Sequence, residues 1–480
     1  MINDPAEILN RYFGFSEFRS GQKEVIDRLL NDHGHSMVLM PTGGGKSLCY
    51  QVTAMCLEGG TLVVSPLIAL MQDQVDALRK KNIPAHFINS TVSRADKDKR
   101  LEDFINGKLK LLYVTPERFR KEEFVSGIKA AKISLLAVDE AHCISEWGHD
   151  FRPDYSRLGE FRALIGNPLT LALTATATQD VQEDIVLRLN LKSDEMKIFH
   201  HGIERPNLRL EAHDTYDEKD KYKSILDVVD NYKGSGIIYF SLIKTLEKYS
   251  ETLSAKGVKH GIYHGKLPDK RRKQIQREFL NGEENLMLAT NAFGMGIDKP
   301  DIRFVIHCEV PSSIESYYQE IGRAGRDGKP SLCLMLYNQD DLYTQMEFIK
   351  WANPDADYYS RFYDILRTHT SAVNSMGVEY LREQMHFKNR HDFRVETALA
   401  MLDRYGVIQG SPEEHNMEVI DEMPDELTDP DYLKEKLLND NKKLLSVVQY
   451  FRTEECRRVY ISEYFGFSDE KPCGNCDICG

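Results

Sequence analysis

Met40-Pro-Thr-Gly-Gly-Gly-Lys-Ser47 stands between a short apolar run, Met37 to Leu39, and a stretch from Leu48 onward that can continue as a helix. A strand, a glycine turn and a helix start leave several backbone N–H groups unpaired and aimed at one spot, with the positive helix end and the Lys46 ammonium behind them. A triphosphate is the natural occupant of such a cradle. Thr42, Gly43, Gly44, Gly45, Lys46 and Ser47 are therefore candidate ATP-binding residues, Ser47 also as a ligand of Mg²⁺. The general pattern has a glycine six positions before the lysine, where this chain has Met40, so the stretch alone also permits an ordinary glycine-rich turn.

The surroundings decide between the two. Apolar runs at Thr61 to Val64, Leu111 to Val114, Leu135 to Val138 and Leu169 to Leu173 are separated by helix-length stretches, the alternation of a parallel sheet covered by helices on both faces. Their downstream ends carry Ser65-Pro-Leu, Thr115-Pro-Glu, Asp139-Glu-Ala-His142 and Thr174-Ala-Thr-Ala-Thr178. Ligands of an open α/β sheet bind outside the carboxyl ends of its strands, so these groups should share one crevice with Lys46. A second round runs through Ile237 to Phe240, Val258 to His264, Leu286 to Thr290, Phe304 to His307 and Leu332 to Tyr337, without a glycine–lysine loop of its own. Two such sheets joined through Arg205-Pro-Asn-Leu predict two lobes around a cleft. Upstream, an aromatic-rich turn over residues 13–22 interrupts a helical pattern and brings Arg19 and Gln22, whose amide offers a purine both a donor and an acceptor.

Two further groups suit phosphoryl transfer. Asp139 would hold Mg²⁺ and Glu140 would polarise the attacking water. In the second half, Gln319, Arg323 and Arg326 fall at i, i+4 and i+7, which predicts one helical face turned to the cleft. Arginines supplied by a second lobe would make hydrolysis depend on closure.

With these in place the motifs closely resemble superfamily-two helicases, and Ile144-Ser-Glu-Trp-Gly-His-Asp-Phe-Arg-Pro-Asp-Tyr155 resembles the aromatic-rich loop of the RecQ family. The resemblance runs from about Tyr12 to Tyr337 and resumes over Cys456 to Cys479. It implies two RecA-like motor lobes and an ATP-dependent DNA helicase moving 3′ to 5′ on single-stranded, forked or tailed DNA. It also implies that Gln22 reads adenine and that Arg323 and Arg326 stabilise the γ-phosphate, with Arg326 as the arginine finger. Trp147 and Phe151 can stack on bases of any identity, and Arg152 can pair with a phosphate. An RNA helicase with the same motor, or an ATP-gated scaffold that clamps DNA without unwinding it, are the competing functions.

Composition sets the frame. At 480 residues, with 41% hydrophobic and 29% charged residues, the chain is expected to form about three soluble domains. A net charge of −13 argues against binding nucleic acid by bulk electrostatics but leaves room for a local basic groove. No bilayer-length apolar run is present, so a cytoplasmic, nucleoid-associated protein (or a nuclear one in a eukaryote) is expected. Among nine cysteines, Cys456, Cys473, Cys476 and Cys479 form a four-thiolate set suited to structural Zn²⁺, with a redox pair as the weaker reading.

Between about Asp341 and Phe451 the chain departs from the family, which usually has a short helical connection there. Val395, Ala398, Leu399, Leu402 and Tyr405 predict a helix, capped by Gly406 and followed by a hairpin over Val407-Ile408 and Met417 to Ile420. That is the outline of a winged-helix module whose Lys388, Arg390, Arg394 and Arg404 either meet DNA phosphates or merely pack. Glu422 to Asp431 is expected to be a solvated acidic linker. The predicted segments are a first lobe over 1–208, a second over 209–345, the insert with its linker over 346–450 and the zinc subdomain over 451–480. The sequence stops one residue after Cys479, before the family's usual winged helix with its strand-separating hairpin, so ATP hydrolysis and translocation are expected to be better represented here than duplex separation.

Overall fold

In the computed structural model, which describes residues 4–41, 43–145, 148, 152–200, 205–294, 297–386, 392–467 and 471–480, the continuous apolar runs become central strands because both faces of their sheet are covered. The first lobe contains β1 (His35–Leu39), β2 (Gly60–Val64), β3 (Ala85–Ile88), β4 (Leu111–Val114), β5 (Ile133–Val138), β6 (Leu169–Thr174) and β7 (Met196–His200), all parallel, in the order β3-β4-β2-β5-β6-β1-β7. Alternate residues of each strand feed separate cores. Leu136 and Val138 pack with Val64 and Ile144 on one face, and Leu135 and Ala137 with Val63 and Leu171 on the other. Register aligns the exits: Leu39 lies beside Thr174, and Val64 beside Val138. The loops after β1, β2, β5 and β6 therefore leave the sheet at one rim.

The second lobe repeats the architecture with β8 (Leu208–Asp214), β9 (Ser235–Tyr239), β10 (Gly261–Tyr263), β11 (Leu286–Ala289), β12 (Ile302–His307) and β13 (Ser331–Tyr337), in the order β10-β11-β9-β12-β13-β8. Its core does not stop at the sheet. Val447, Tyr450, Cys456, Ile461 and Cys476 join the same apolar cluster as Leu210, Met335 and Tyr317. The helix Pro430–Arg452 thus starts against the insert, where Leu433 joins its core, and ends inside the second lobe through Val447 and Tyr450.

The insert builds its own core from Phe362, Leu366, Val395, Ala398, Leu402 and Ile408. Its helix Arg394–Arg404 leads through Gly406, at φ +74°, into a short antiparallel hairpin of β14 (Ile408–Gln409) and β15 (Glu418–Val419), as the pattern predicts. The acidic stretch is not merely a linker: Leu427 is buried in the insert core, and the Asp429 carboxylate caps the helix that starts at Pro430.

Of the two roles open to Arg394, DNA contact or packing, its contacts are those of packing. Its guanidinium is tied to the buried Asp392 at 2.8 Å and lies 4.7 Å above the Tyr358 ring, so it is engaged in holding two elements together. Arg404 is exposed, and Lys388 and Arg390 lie outside the described residues. Arg394→Glu is therefore expected to destabilise the protein by about 2 kcal/mol through the lost ion pair and cation–π contact, with binding of DNA unchanged. A melting curve and a DNA titration on the same protein check both halves. Among the described residues no helix is long and apolar enough to cross a membrane.

Candidate active site and zinc centre

The rim of the first sheet and the facing edge of the second lobe enclose a cleft of about 590 Å³. Arg19, Gln22, Gly43, Gly45, Lys46 and Ser47 line it from one side, Asp139 and Glu140 from its floor, and Gln319, Arg323 and Arg326 from the other lobe. Thr42 lies outside the described residues. Gly43 and Gly45 adopt φ of +82° and +85°, a region costly for any residue with a side chain, and Gly45 caps the helix Lys46–Cys56. Met40, the departure from the general motif, is buried, and a Cβ at Gly44 would come 2.6 Å from its Cγ. The methionine thus fills space under the turn and leaves no room for a side chain at the middle glycine.

Arg19 and Gln22 brace this loop. Arg19 donates to the Gly43 carbonyl at 2.7 Å, while the Gln22 amide donates to the carbonyls of Gly44 and Gly45 at 3.3 and 3.1 Å and accepts the Arg19 N–H at 2.9 Å. The amide that the family resemblance assigns to a base is here bound to the phosphate loop, with Phe13 and Phe15 beside it in the cleft. Lys46 Nζ donates to the Met40 carbonyl at 3.0 Å. Burial lowers its pKa, against the carboxylates of Glu140 and Asp139. Burial, then the neighbouring Glu140, pushes Asp139 up to about 7. A cation in the cleft would bring Asp139 back down by compensating the buried negative charge.

Glu140 itself is held at φ +49°, in the left-handed region, where the chain turns from β5 into the short helix Ala141–Ile144. Its Oε2 is buried without a hydrogen-bond partner, 3.4 Å from His142 Nδ1. From there a polar chain crosses the cleft: His142 Nδ1 lies 3.0 Å from Thr174 Oγ1, which accepts the Thr176 N–H at 3.1 Å, and Thr176 Oγ1 accepts from Gln319 Nε2 at 3.3 Å. The threonine strand end thus links the acid of one lobe to the glutamine of the other.

The two arginines do not share a helical face with Gln319. The helix Ile314–Ile321 ends before them, and residues 322–327 form consecutive turns. The reason is Gly325, at φ +56°, where a Cβ would sit 2.4 Å from Asn207 Nδ2; close backbone approach replaces the helix. The turns still deliver both side chains to the cleft. Arg323 is buried and donates to the Gly294 carbonyl, whereas Arg326 pairs with Asp298 at 2.8 Å and its Cγ would lie 3.4 Å from a Cβ placed on Gly43. Arg326 is therefore the second-lobe cation against the phosphate loop.

At the other end of the chain, the sulfur atoms of Cys456, Cys473, Cys476 and Cys479 all lie within 4.8 Å of one another, with Cys473–Cys479 and Cys476–Cys479 at 3.7 and 3.4 Å. A zinc ion with four ~2.3 Å bonds to sulfur needs tetrahedron edges of about 3.8 Å, so the set fits. Burial raises the Cys479 thiol, but hydrogen bonds with Cys476, Cys456 and Cys473 outweigh it and bring it down to about 6, which favours a thiolate donor. The cluster is sewn to the second lobe. Cys476 bridges Leu210 of β8, the Asp477 N–H donates to the Leu210 carbonyl at 3.1 Å, and Arg457 grips the Asp477 carboxylate at 2.7 and 2.9 Å.

Three family matches follow the same division: DEAD/DEAH box helicase over residues 19–184, helicase conserved C-terminal domain over 220–328 and RecQ zinc-binding over 419–480. The chain is 37% identical over 481 residues to an ATP-dependent DNA helicase RecQ of Bacillus subtilis, covering 100% of this chain and 67% of that protein. It is 34% identical over 487 residues to a protein of the same name from Synechocystis, covering 98% and 97% of the two chains. The chain belongs to the RecQ family. It spans 62–67% of the length of the RecQ relatives from Bacillus, Pasteurella and Haemophilus. In fold it also resembles yeast Dbp5 bound to RNA and ADP BeF3, at 16% identity and a TM-score of 0.56 over 73% of this chain and 91% of that one. Residues 329–418, most of the insert, fall between the helicase conserved C-terminal domain match and the RecQ zinc-binding match.

The RecQ aromatic segment follows the acids directly. Trp147 and Phe151 lie outside the described residues. Arg152 is half-buried; its N–H donates to the Cys143 carbonyl at 3.0 Å and its side chain to the Pro66 carbonyl at 3.2 Å. At the end of the segment the buried Tyr155 hydroxyl donates to the Asp139 carbonyl at 3.2 Å, which closes the loop back onto the acid it started from. Sequence reasoning did not find Tyr155 as part of the site; its place at the end of the aromatic motif was the available signal. Lys443, on the helix Pro430–Arg452, donates to the Gly148 carbonyl at 3.1 Å and was invisible for the same reason as any contact across 295 positions.

Cys476→Ser is expected to abolish zinc binding and to lower the melting temperature of the second lobe as well as of the cysteine cluster, because Cys476 is fully buried and bridges β8. Metal analysis of unchelated wild-type protein should find about one zinc per chain. Zinc-free wild-type protein with an unchanged melting curve would overturn the assignment.

Proposed function

We propose that this chain is the motor of an ATP-dependent, 3′-to-5′ DNA helicase that acts on single-stranded, tailed and forked DNA. The observation that carries the reading is the cleft in which Lys46 and Glu140 of one lobe face Arg326 of the other, in a chain that also holds four zinc-competent thiols. The cradle and Lys46 bind the triphosphate of ATP. Ser47 and Asp139 would hold Mg²⁺, which supplies charge neutralisation to the phosphates when bound. Glu140 orients the attacking water and accepts its proton, and Arg323 and Arg326 stabilise charge that develops on the transferred phosphoryl group. Arg19 and Gln22 keep the loop in shape at the mouth where Phe13 and Phe15 leave room for the base.

In this reading residues 1–208 and 209–345 are the two motor lobes, 346–450 the insert with the acidic stretch, and 451–480 the zinc-binding end. The aromatic segment, through Trp147, Phe151 and Arg152, takes the DNA strand. The protein works in the cytoplasm at the nucleoid, in repair and recombination. Strand displacement on blunt, tailed and forked duplexes tests it, with ATP hydrolysis measured in parallel on single-stranded DNA and RNA. Unwinding of 3′-tailed duplexes with DNA-stimulated hydrolysis is expected. Stimulation by RNA alone would reassign the substrate, and DNA-stimulated hydrolysis without displacement on any duplex would reduce the protein to an ATP-gated clamp.

A further inference from the structure

Arg205 lies in the Arg-Pro-Asn-Leu segment that joins the lobes, away from the nucleotide cleft residues, yet its whole donor fork is turned onto the loop that carries the two arginines. One terminal nitrogen donates to the carbonyls of Ala324 and Gly325 at 2.6 and 2.8 Å, and the other to the carbonyl of Gly322 at 3.3 Å. Asn207 adds a second donor to Gly325 at 2.8 Å and one to Lys329 at 3.0 Å. These carbonyls belong to turns outside any helix; those of Gly325 and Gly322 also accept from the Gly328 N–H and Arg326 Nε, whereas Arg205 supplies the side-chain donor to the carbonyl of the fully buried Ala324, a hydrogen bond that a buried carbonyl requires. Only a planar guanidinium spans acceptors on three residues at once; an ammonium is a point donor.

The linker segment is in turn held from the zinc end. Arg458, two residues after Cys456 and itself buried, donates to the carbonyls of Arg205 and Leu208 at 3.2 and 3.1 Å, and the Asn475 amide donates to those of Pro206 and Leu208 at 3.1 and 3.3 Å. A continuous set of hydrogen bonds therefore runs from the cysteine cluster through the lobe junction to the turns at Gly322–Arg326.

We infer that Arg205 is a positioning residue for ATP hydrolysis: it sets the backbone of the arginine-bearing turns so that Arg326 meets the γ-phosphate, and it ties that geometry to the zinc-bearing end of the chain. The inference rests on the reading of Arg326 as the charge-stabilising residue. Arg205 is not among the residues that line the cleft, so its effect appears in turnover rather than in ATP affinity.

The test is a double-mutant cycle of Arg205→Lys and Arg326→Lys in the full chain, with kcat and KM for ATP at saturating single-stranded DNA, affinity for a fluorescent ATP analogue and melting temperature read for each protein. Displacing a catalytic group by about 1 Å can reduce rate by a hundredfold, so Arg205→Lys is expected to lower kcat between about tenfold and a hundredfold. KM and analogue affinity should stay within about twofold, and in the Arg326→Lys background the second substitution should change kcat by less than about twofold, because the residue it positions is already gone. Equal losses in both backgrounds, a change confined to KM, or unchanged kcat would each overturn the inference. Wild-type turnover in Arg326→Lys alone would instead reject the underlying assignment of Arg326. Should Arg205→Lys melt early, Asn207→Ala reads the same quantities with Arg205 in place. A threefold or greater fall in kcat at constant KM supports the inference, and no fall overturns it.

Discussion

Glu140→Gln is expected to bind Mg-ATP as well as the wild type and to hydrolyse it about a thousandfold more slowly. The side chain keeps its size, and its backbone keeps the φ of +49° that points it into the cleft, so nothing that shapes the cradle changes. What changes is chemistry. The buried Oε2, which has no hydrogen-bond partner, is the atom available to a water, and a neutral amide cannot accept the proton that the water loses. General-base assistance contributes roughly a hundredfold to ten-thousandfold, and the expected loss lies within that range. Lys46→Ala provides the contrast: removal of the cradle's ammonium should abolish ATP binding itself. Equilibrium binding of a fluorescent ATP analogue, set against single-turnover hydrolysis, separates the two. Near-normal turnover by the glutamine variant would remove Glu140 from the role of base.

The parts of this molecule that could be read in advance are those specified by neighbours in sequence. The central strands were visible because Leu111–Val114 and Leu135–Val138 are buried on both faces and so cannot carry polar residues. Strands at or near the edges were missed for the opposite reason. Ala85–Ile88 includes a histidine, Met196–His200 exposes Lys197 and His200, and Leu208–Asp214 alternates buried with half-buried positions over its first five residues, so none shows a continuous apolar run. The phosphate loop, the acidic strand end and the cysteine spacing are local patterns and were legible to the residue. The helical face assigned to Arg323 and Arg326 failed because the approach of Asn207 to Gly325, a contact over 118 positions, overrides the local period. Arg394 was legible as a cation but not as a partner of Asp392 and Tyr358, since only the folded insert brings that ring beneath it. Long-range polar contacts of this kind carry much of the coupling between the site and the rest of the chain.

A loss of DNA-dependent function that spares both ATP binding and the DNA-independent rate is expected from the aromatic segment. Arg152→Ala should leave nucleotide affinity and the DNA-independent rate close to wild type, reduce the DNA-stimulated rate by about tenfold or more and remove nearly all unwinding; Trp147→Ala should do the same. The physical basis is a closed loop of chain. The segment leaves from Glu140, is pinned at Cys143 by the Arg152 N–H, reaches the loop after β2 through the Arg152 side chain at Pro66, and returns to the Asp139 carbonyl through the Tyr155 hydroxyl. A strand that draws the Arg152 guanidinium to a phosphate must loosen its bond to Pro66, and the displacement is expected to reach Asp139 and Glu140 within a few residues. ATP binding is expected to depend on Lys46 and the cradle, which lie between β1 and the helix Lys46–Cys56 and are not part of that loop. The discriminating measurement is hydrolysis as a function of single-stranded DNA concentration. A defect in affinity alone is overcome by more DNA, whereas a defect in transmission persists at saturation. If both variants regain the wild-type rate at saturating DNA, the segment is a binding surface and the acids are organised without it.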